Sequence, residues 1–359
     1  MRIYLIGAGV IARTHAAAAA KLPEPAELRV ADPNPAALAS FREAYPEAAA
    51  YDDAAKMLAS EAARDDDIVI VATPPFLHLD GVRLAFDSGR HALCEKPLAM
   101  NVEEAEEMER LAAERGLLLG CCAVRYKGML HNEAVKRVVQ SGVLGEIYHV
   151  TFVNKWERSR AGIEYQPQSR WFLYRARSGG GIAMDWGPYD ISTLVDVLSP
   201  SSIDIAAAWT AKPETAADPT DVVYDVEHHI GAFLSFRREG VRAVAVHYER
   251  GTCTHGQEAF IGEIEGTKGA VRWTPYDSRQ PVVLRTDRDG KVVEEVVDPG
   301  ERGPFTVMDL PLVHFFNHIR GLPSLANVNG RAVDHYRFIR SLYDCAETGE
   351  RRTIDIEGA

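Results

Sequence analysis

The stretch "RIYLIGAGVIA", Arg2 to Ala12, decides the fold. A short apolar run ends at a glycine, and an alanine-rich run with helical spacing, Ile11 to Lys21, follows at once. This reads as a buried strand, a tight turn and a helix. The small residues are spaced G-x-G-x-x-A. Gly7 permits the turn, Gly9 lets a pyrophosphate approach the backbone, and Ala12 keeps the helix close to the strand. The helix-start amides, at Gly9, Val10 and Ile11, would face the phosphates, and the helix dipole favours the negative charge. A second strand, "AELRVADP", ends at Asp32, 23 residues after Gly9. A carboxylate there accepts bonds from a ribose hydroxyl and repels a 2'-phosphate. No arginine follows before Arg42, so the pattern favours NAD, with NADP use left open.

The same alternation continues outward. "DIVIVATPP", "HALCEKP" and "LLLGCCA" read as further strands, and "VEEAEEMERLAAERG" reads as a helix stopped at Gly116. Strands alternating with helices predict a doubly wound parallel sheet over residues 1–123. The pattern then changes. "IYHVTFVNKW", "VEHHIGAFLSFRREGVRAVAVHYER", "EAFIGEIEGTKGAVRW" and "PVVLRTDRDGKVVEEV" alternate as antiparallel strands do. Helices near 308–320 and 331–347 close the chain. The expectation is therefore an α/β protein of two domains, with residues 124–359 forming an α+β domain on a large, mainly antiparallel sheet.

The net charge of -12 argues against nucleic acid or anionic membranes as partners. No apolar run approaches the roughly 20 residues of a membrane helix. The start of the chain lacks the pattern of a signal peptide. The five cysteines are odd in number and lack paired CxxC spacing, so they read as buried thiols. Together these features point to the cytoplasm. His228 and His229 are adjacent on a predicted strand and would point to opposite faces. One buried and one exposed histidine is the expectation, and no metal site.

"ATPPFLH" (Ala72 to His78) and "CEKPLA" (Cys94 to Ala99) each end a strand at the ligand side of such a sheet. With "VRY" (Val124 to Tyr126) and "SGGGIAMDWGPYD" (Ser178 to Asp190), they resemble the family of glucose-fructose oxidoreductase and inositol dehydrogenase, the Gfo/Idh/MocA oxidoreductases. The resemblance implies hydride transfer between a nicotinamide and a secondary alcohol or carbonyl of a sugar, polyol, sugar acid or cyclic diol. It implies that Lys96 touches both cofactor and substrate, that Thr73, Pro74 and His78 line the nicotinamide side, and that Glu95 fixes the ribose and the loop. It implies a subunit interface on the open sheet, hence a homodimer or homotetramer. It also makes Asp185 a substrate-binding residue and Tyr189 the acid/base, a tyrosine where many members have histidine.

Asp185 and Tyr189 are four residues apart, so a helix places them on one face. The preceding glycines would let the backbone approach substrate or cofactor. Taken alone, the same residues fit a helix cap and a packed aromatic. Asp190 competes with Asp185 as the substrate contact. Arginines 158, 160, 170, 175 and 177, with Trp171 beside them, suit either a carbohydrate ligand or a solvated loop, and Arg125 suits substrate binding or loop support. Two other readings stay open: an enzyme that keeps its NAD bound for internal redox, and a non-catalytic NAD- and sugar-binding sensor.

Overall fold

The structure, a computed structural model, describes residues 1–357. It divides into two compact units. The first joins Met1–Arg125 to Gly303–Tyr336, and the second joins Tyr126–Arg302 to the chain from Arg337 onward. The sequence reading had assigned everything after residue 123 to one domain, including residues 358 and 359, which lie outside the described residues. The return of 303–336 has a packing cause. Helix Leu310–Ile319 gives Leu312, Val313, Phe315 and Phe316 to the core of the first unit. Phe315 lies on Gly120, where a Cβ would stand 2.6 Å from the ring. Strand Asn327–Val328 then pairs with Leu119–Cys121.

The first unit carries a seven-stranded sheet among the described residues. In spatial order its strands are Asn327–Val328, Leu119–Cys121, His91–Cys94, Ile68–Val71, Arg2–Ile6, Glu27–Ala31 and Ala49–Tyr51. All neighbours are parallel except the first pair. The chain builds outward from Arg2–Ile6 in one direction and then, from Ile68–Val71, in the other. The crevice at this reversal, beyond the carboxyl ends of those two strands, is where doubly wound sheets bind ligands. The strands are rich in apolar residues because helices cover both faces of such sheets, and Ile3, Leu5, Ile68 and Ile70 are fully buried.

The second unit holds a nine-stranded sheet among the described residues. Its spatial order is Lys291–Val297, Val282–Arg288, Gly269–Trp273, Ala259–Gly266, Ile147–Lys155, Val241–Gly251, His229–Arg238, Ser202–Ala211 and Arg352–Asp355. Only Ile147–Lys155 and Val241–Gly251 pair in parallel. Helices Leu130–Gln140 and Ile182–Leu198 pack on each other and on the sheet. Alternation sorts the side chains. Ile230, Ala232, Leu234 and Phe236 are buried, while Phe233 between them is 60% exposed.

Candidate active site

The glycine turn fits a dinucleotide. Gly7 has φ +102°, and a Cβ there would lie 2.7 Å from the Ala72 carbonyl oxygen. Only glycine lets these two strand ends meet so closely. Nothing lies within 4 Å of the position a Cβ would take on Gly9. Helix Val10–Ala19 begins without a side-chain cap or an acidic residue in its first turn. Its first amides are thus left for an anion. The Asp32 carboxylate accepts the Ala8 and Asn34 N–H groups, each at 2.8 Å, so it also shapes the glycine turn. Each of its oxygens keeps acceptor capacity for a ribose hydroxyl.

The two strand-end motifs divide into available and sequestered side chains. Thr73, Pro74 and Lys96 are partly exposed, and the Lys96–Pro97 bond is cis. His78 is fully buried. Its Nδ1 lies 2.9 Å from the Pro97 carbonyl and its Nε2 2.9 Å from the Thr73 carbonyl. Burial lowers its pKa, and a neutral ring donates to one of the two. His78 therefore ties the two loops together from a buried position.

Glu95 is turned inward and is only 4% exposed. It accepts the Lys96 amide at 3.0 Å and lies 2.8 Å from His15 Nε2 and 3.6 Å from Arg125 Nη2. Burial alone would push its carboxyl up, but the His15 bond and the charges of Arg125 and Lys96 hold it well below the usual range. Arg125 thus supports the loop through Glu95. His15, Glu95 and Cys122 bring three donor atoms within 4.8 Å of one another. Arg125 at the same carboxylate, and a Cys122 thiol pushed up by burial, make this an ion-pair network and a poor seat for a cation.

In the second unit, Asp185 and Tyr189 share helix Ile182–Leu198. Asp185 is partly exposed. Tyr189 is buried, with ring contacts to Tyr126 at 5.3 Å and Trp186 at 5.7 Å. Asp190 is closed off. Its Oδ2 accepts Tyr248 O–H at 2.8 Å and Arg250 Nε at 2.9 Å, and its Oδ1 accepts Tyr276 O–H at 2.6 Å and Arg250 Nη2. Its bonding capacity is spent on the fold. Asp185 instead shares a narrow cleft with Ala161, Phe172, Gly181, Ile182, His228 and Thr252, and Trp171 stacks on Phe172 at 3.9 Å.

The glycines before the helix make room for the chain's own groups, and Gly181 also lines the cleft beside Asp185. A Cβ on Gly181 would overlap the Glu227 carbonyl oxygen, and one on Gly180 would overlap the Tyr343 hydroxyl. Gly179, at φ +80°, makes the turn. Glu227, which sequence reasoning missed, accepts the Gly181 and Ala183 amides at 2.9 and 3.0 Å and the Tyr343 hydroxyl at 2.7 Å. It caps this helix from 46 residues away, a distance at which no local pattern signals it. The arginines also find internal partners. Arg160 is fully buried against Glu164, Asp218, Thr215 and Tyr224, Arg170 reaches the Gly162 carbonyl, and Arg175 pairs with Glu347. His228 is buried as expected. His229 is half-buried, not exposed, with its Nε2 2.8 Å from Glu249.

Two family models match the chain. "Oxidoreductase family, NAD-binding Rossmann fold" covers residues 1–123, and "GFO/IDH/MocA C-terminal domain" covers 132–272. A D-glucoside 3-dehydrogenase of Escherichia coli (strain K12) is 26% identical over 98% of this chain and 97% of its own. Among solved structures, aldose-aldose oxidoreductase from Caulobacter crescentus, complexed with glycerol, superposes with TM-score 0.76 at 23% identity, covering 99% of each chain. Levoglucosan dehydrogenase in complex with NADH and L-sorbose does so with TM-score 0.78 at 19% identity, covering 100% of each. The glycine turn, the Lys96 loop and both matched domains lead to one conclusion: the chain belongs to the Gfo/Idh/MocA oxidoreductase family, with NAD as the cofactor of its first domain.

Proposed function

We propose that the chain is an NAD-dependent dehydrogenase or reductase acting on a secondary alcohol or carbonyl of a sugar, polyol, sugar acid or cyclic diol. The observation that carries this reading is the contrast along helix Ile182–Leu198. Asp190 is consumed by Arg250 and two tyrosines, while Asp185 is offered to a cleft. The full-length likeness to a D-glucoside 3-dehydrogenase supports the carbohydrate-like class.

Gly7, Gly9, Val10, Ile11 and Asp32 hold the dinucleotide, with Thr73 and Pro74 on its nicotinamide side. The bound nicotinamide supplies or accepts the hydride. Lys96 donates a hydrogen bond to the reacting oxygen and offsets negative charge on it. Tyr189 takes the hydroxyl proton in oxidation and returns it in reduction, and Asp185 accepts a bond from a neighbouring hydroxyl. No helix among the described residues is long and apolar enough to cross a membrane. The enzyme works in the cytoplasm as a homodimer or homotetramer joined through the open sheet face.

The test is a panel of aldoses, methyl glycosides, inositols, sugar acids and cyclic diols with NAD, followed at the reduced-nicotinamide absorbance. The expected result is NADH formation with at least one of them. Silence across the panel, from protein that binds NADH in a titration, overturns the reading.

A further inference from the structure

We propose that His228 is a substrate-binding residue whose Nε2 takes one hydroxyl of the bound sugar or polyol in the cleft beside Asp185. The inference rests on the functional reading above and deepens it.

His228 lines the cleft together with Asp185, Thr252, Phe172 and Ala161. It is 3% exposed, and its Nε2 is buried with no hydrogen-bond partner among the described residues. Buried ring nitrogens are ordinarily paired, by protein, water or ligand. The rest of the residue is fixed. Its N–H donates to the Ala211 carbonyl at 3.0 Å, its carbonyl accepts the Thr252 amide at 2.9 Å, and Thr252 Oγ1 lies 3.5 Å from Nδ1. The ring packs on Tyr224 at 5.4 Å. Nε2 is thus the polar atom left over on a rigid side chain, in a cleft that admits a water-sized group.

The chemistry of the occupant follows from charge. Burial and the nearby Arg160 cation hold the His228 pKa down to about 4, so the ring is neutral near pH 7. A neutral imidazole has one donor and one acceptor nitrogen, which suits a hydroxyl and gives no charge for a carboxylate or phosphate. Asp185, when ionised, only accepts. The pair therefore suits a polyhydroxylated ligand that gives one hydroxyl to Asp185 and another to His228. A cleft built for such a bond rejects analogues lacking the hydroxyl, because Nε2 is then left unpaired.

The experiment measures binding of methyl β-D-glucopyranoside, D-glucose and myo-inositol to the full-length NADH complex by calorimetry. It compares wild type with His228→Leu and His228→Gln, whose amide nitrogen can reach the Nε2 position. The expected result is a Kd raised at least tenfold in His228→Leu, restored to within about threefold in His228→Gln, with NADH affinity unchanged. If both variants bind as wild type does, a water occupies the cleft, and the proposal is overturned while the functional reading stands. If none of the three binds wild type and the NAD panel is also silent, the functional reading fails and takes this inference with it. Should His228→Leu not fold, His228→Asn replaces it. Its shorter amide reaches only the Nδ1 position, so binding equal to that of His228→Gln overturns the proposal.

Discussion

Asp190 gives both carboxylate oxygens to Arg250, Tyr248 and Tyr276, whereas Asp185, five residues earlier, faces a cleft. Spacing alone did not separate them, because the buried cation that claims Asp190 lies 60 residues further along the chain. The two catalytic assignments are separable by kinetics. Lys96→Met should abolish turnover and leave NADH affinity within a few-fold of wild type, since the glycine turn and Asp32 hold the dinucleotide. Tyr189→Phe removes one oxygen and should slow turnover by about 10²- to 10⁴-fold. Steady-state rates beside NADH titration check both, and a loss under about threefold removes either residue from the mechanism. His228 carries a prediction independent of substrate. Its folded pKa of about 4 lies below the ordinary value of about 6.5, so the unfolded chain binds the proton first as pH falls. The stability contributed by the neutral ring is complete above about 6.5 and is lost progressively toward about 4. Denaturant titrations at pH 7 and pH 5 should show wild type losing about 2 kcal/mol more than His228→Gln over that interval.

At the scale of elements, the start of helix Ile182–Leu198 explains three glycines that the sequence reading gave to ligand approach. Gly180 and Gly181 are spacers against Tyr343 and Glu227, and Gly179 makes the turn at φ +80°. Glu227 replaces the missing side-chain cap, accepting two amides where the helix dipole favours negative charge. Burial raises its carboxyl pKa, while the Tyr343 hydroxyl and the two amides oppose that rise. Gly181→Ala should therefore destabilise the protein by about 3 kcal/mol or more, because its Cβ meets backbone, which cannot rotate away. Gly9→Ala, with open space around it, should leave stability nearly unchanged and weaken NADH binding instead. Thermal melts and NADH titrations of the two variants distinguish a packing glycine from a phosphate-facing one. The helix itself was legible from its apolar spacing. Its anchor was not, since capping by a residue 46 positions away follows from tertiary packing and leaves no local signature.

For the whole molecule, the parallel sheet and the glycine turn were legible because strand, turn and helix obey local periodicities. The return of residues 303–336 to the first unit was not legible, since a helix pattern does not say which core receives it. Register makes the open face of the second sheet explicit. Phe233, His247, Thr151, Glu263, Arg272, Val283 and Val296 stand opposite one another in a single row across seven strands. Phe233 is 60% and Val296 72% exposed, and Trp209, on the strand beside Phe233, is 45% exposed. A row with apolar ends and a central acid–base pair is self-complementary when a second copy is turned through 180°, as a two-fold interface requires. Exposed large apolar groups on one face mark such contacts. Phe233→Glu would place a charge among them at a position where the side chain contributes little to its own core. The expected outcome is a shift from dimer or tetramer to monomer in light scattering, with the melting temperature of the isolated subunit little changed. A wild-type monomer at micromolar concentration would remove this face as the interface, and an unchanged oligomer in the variant would move the interface elsewhere on the chain.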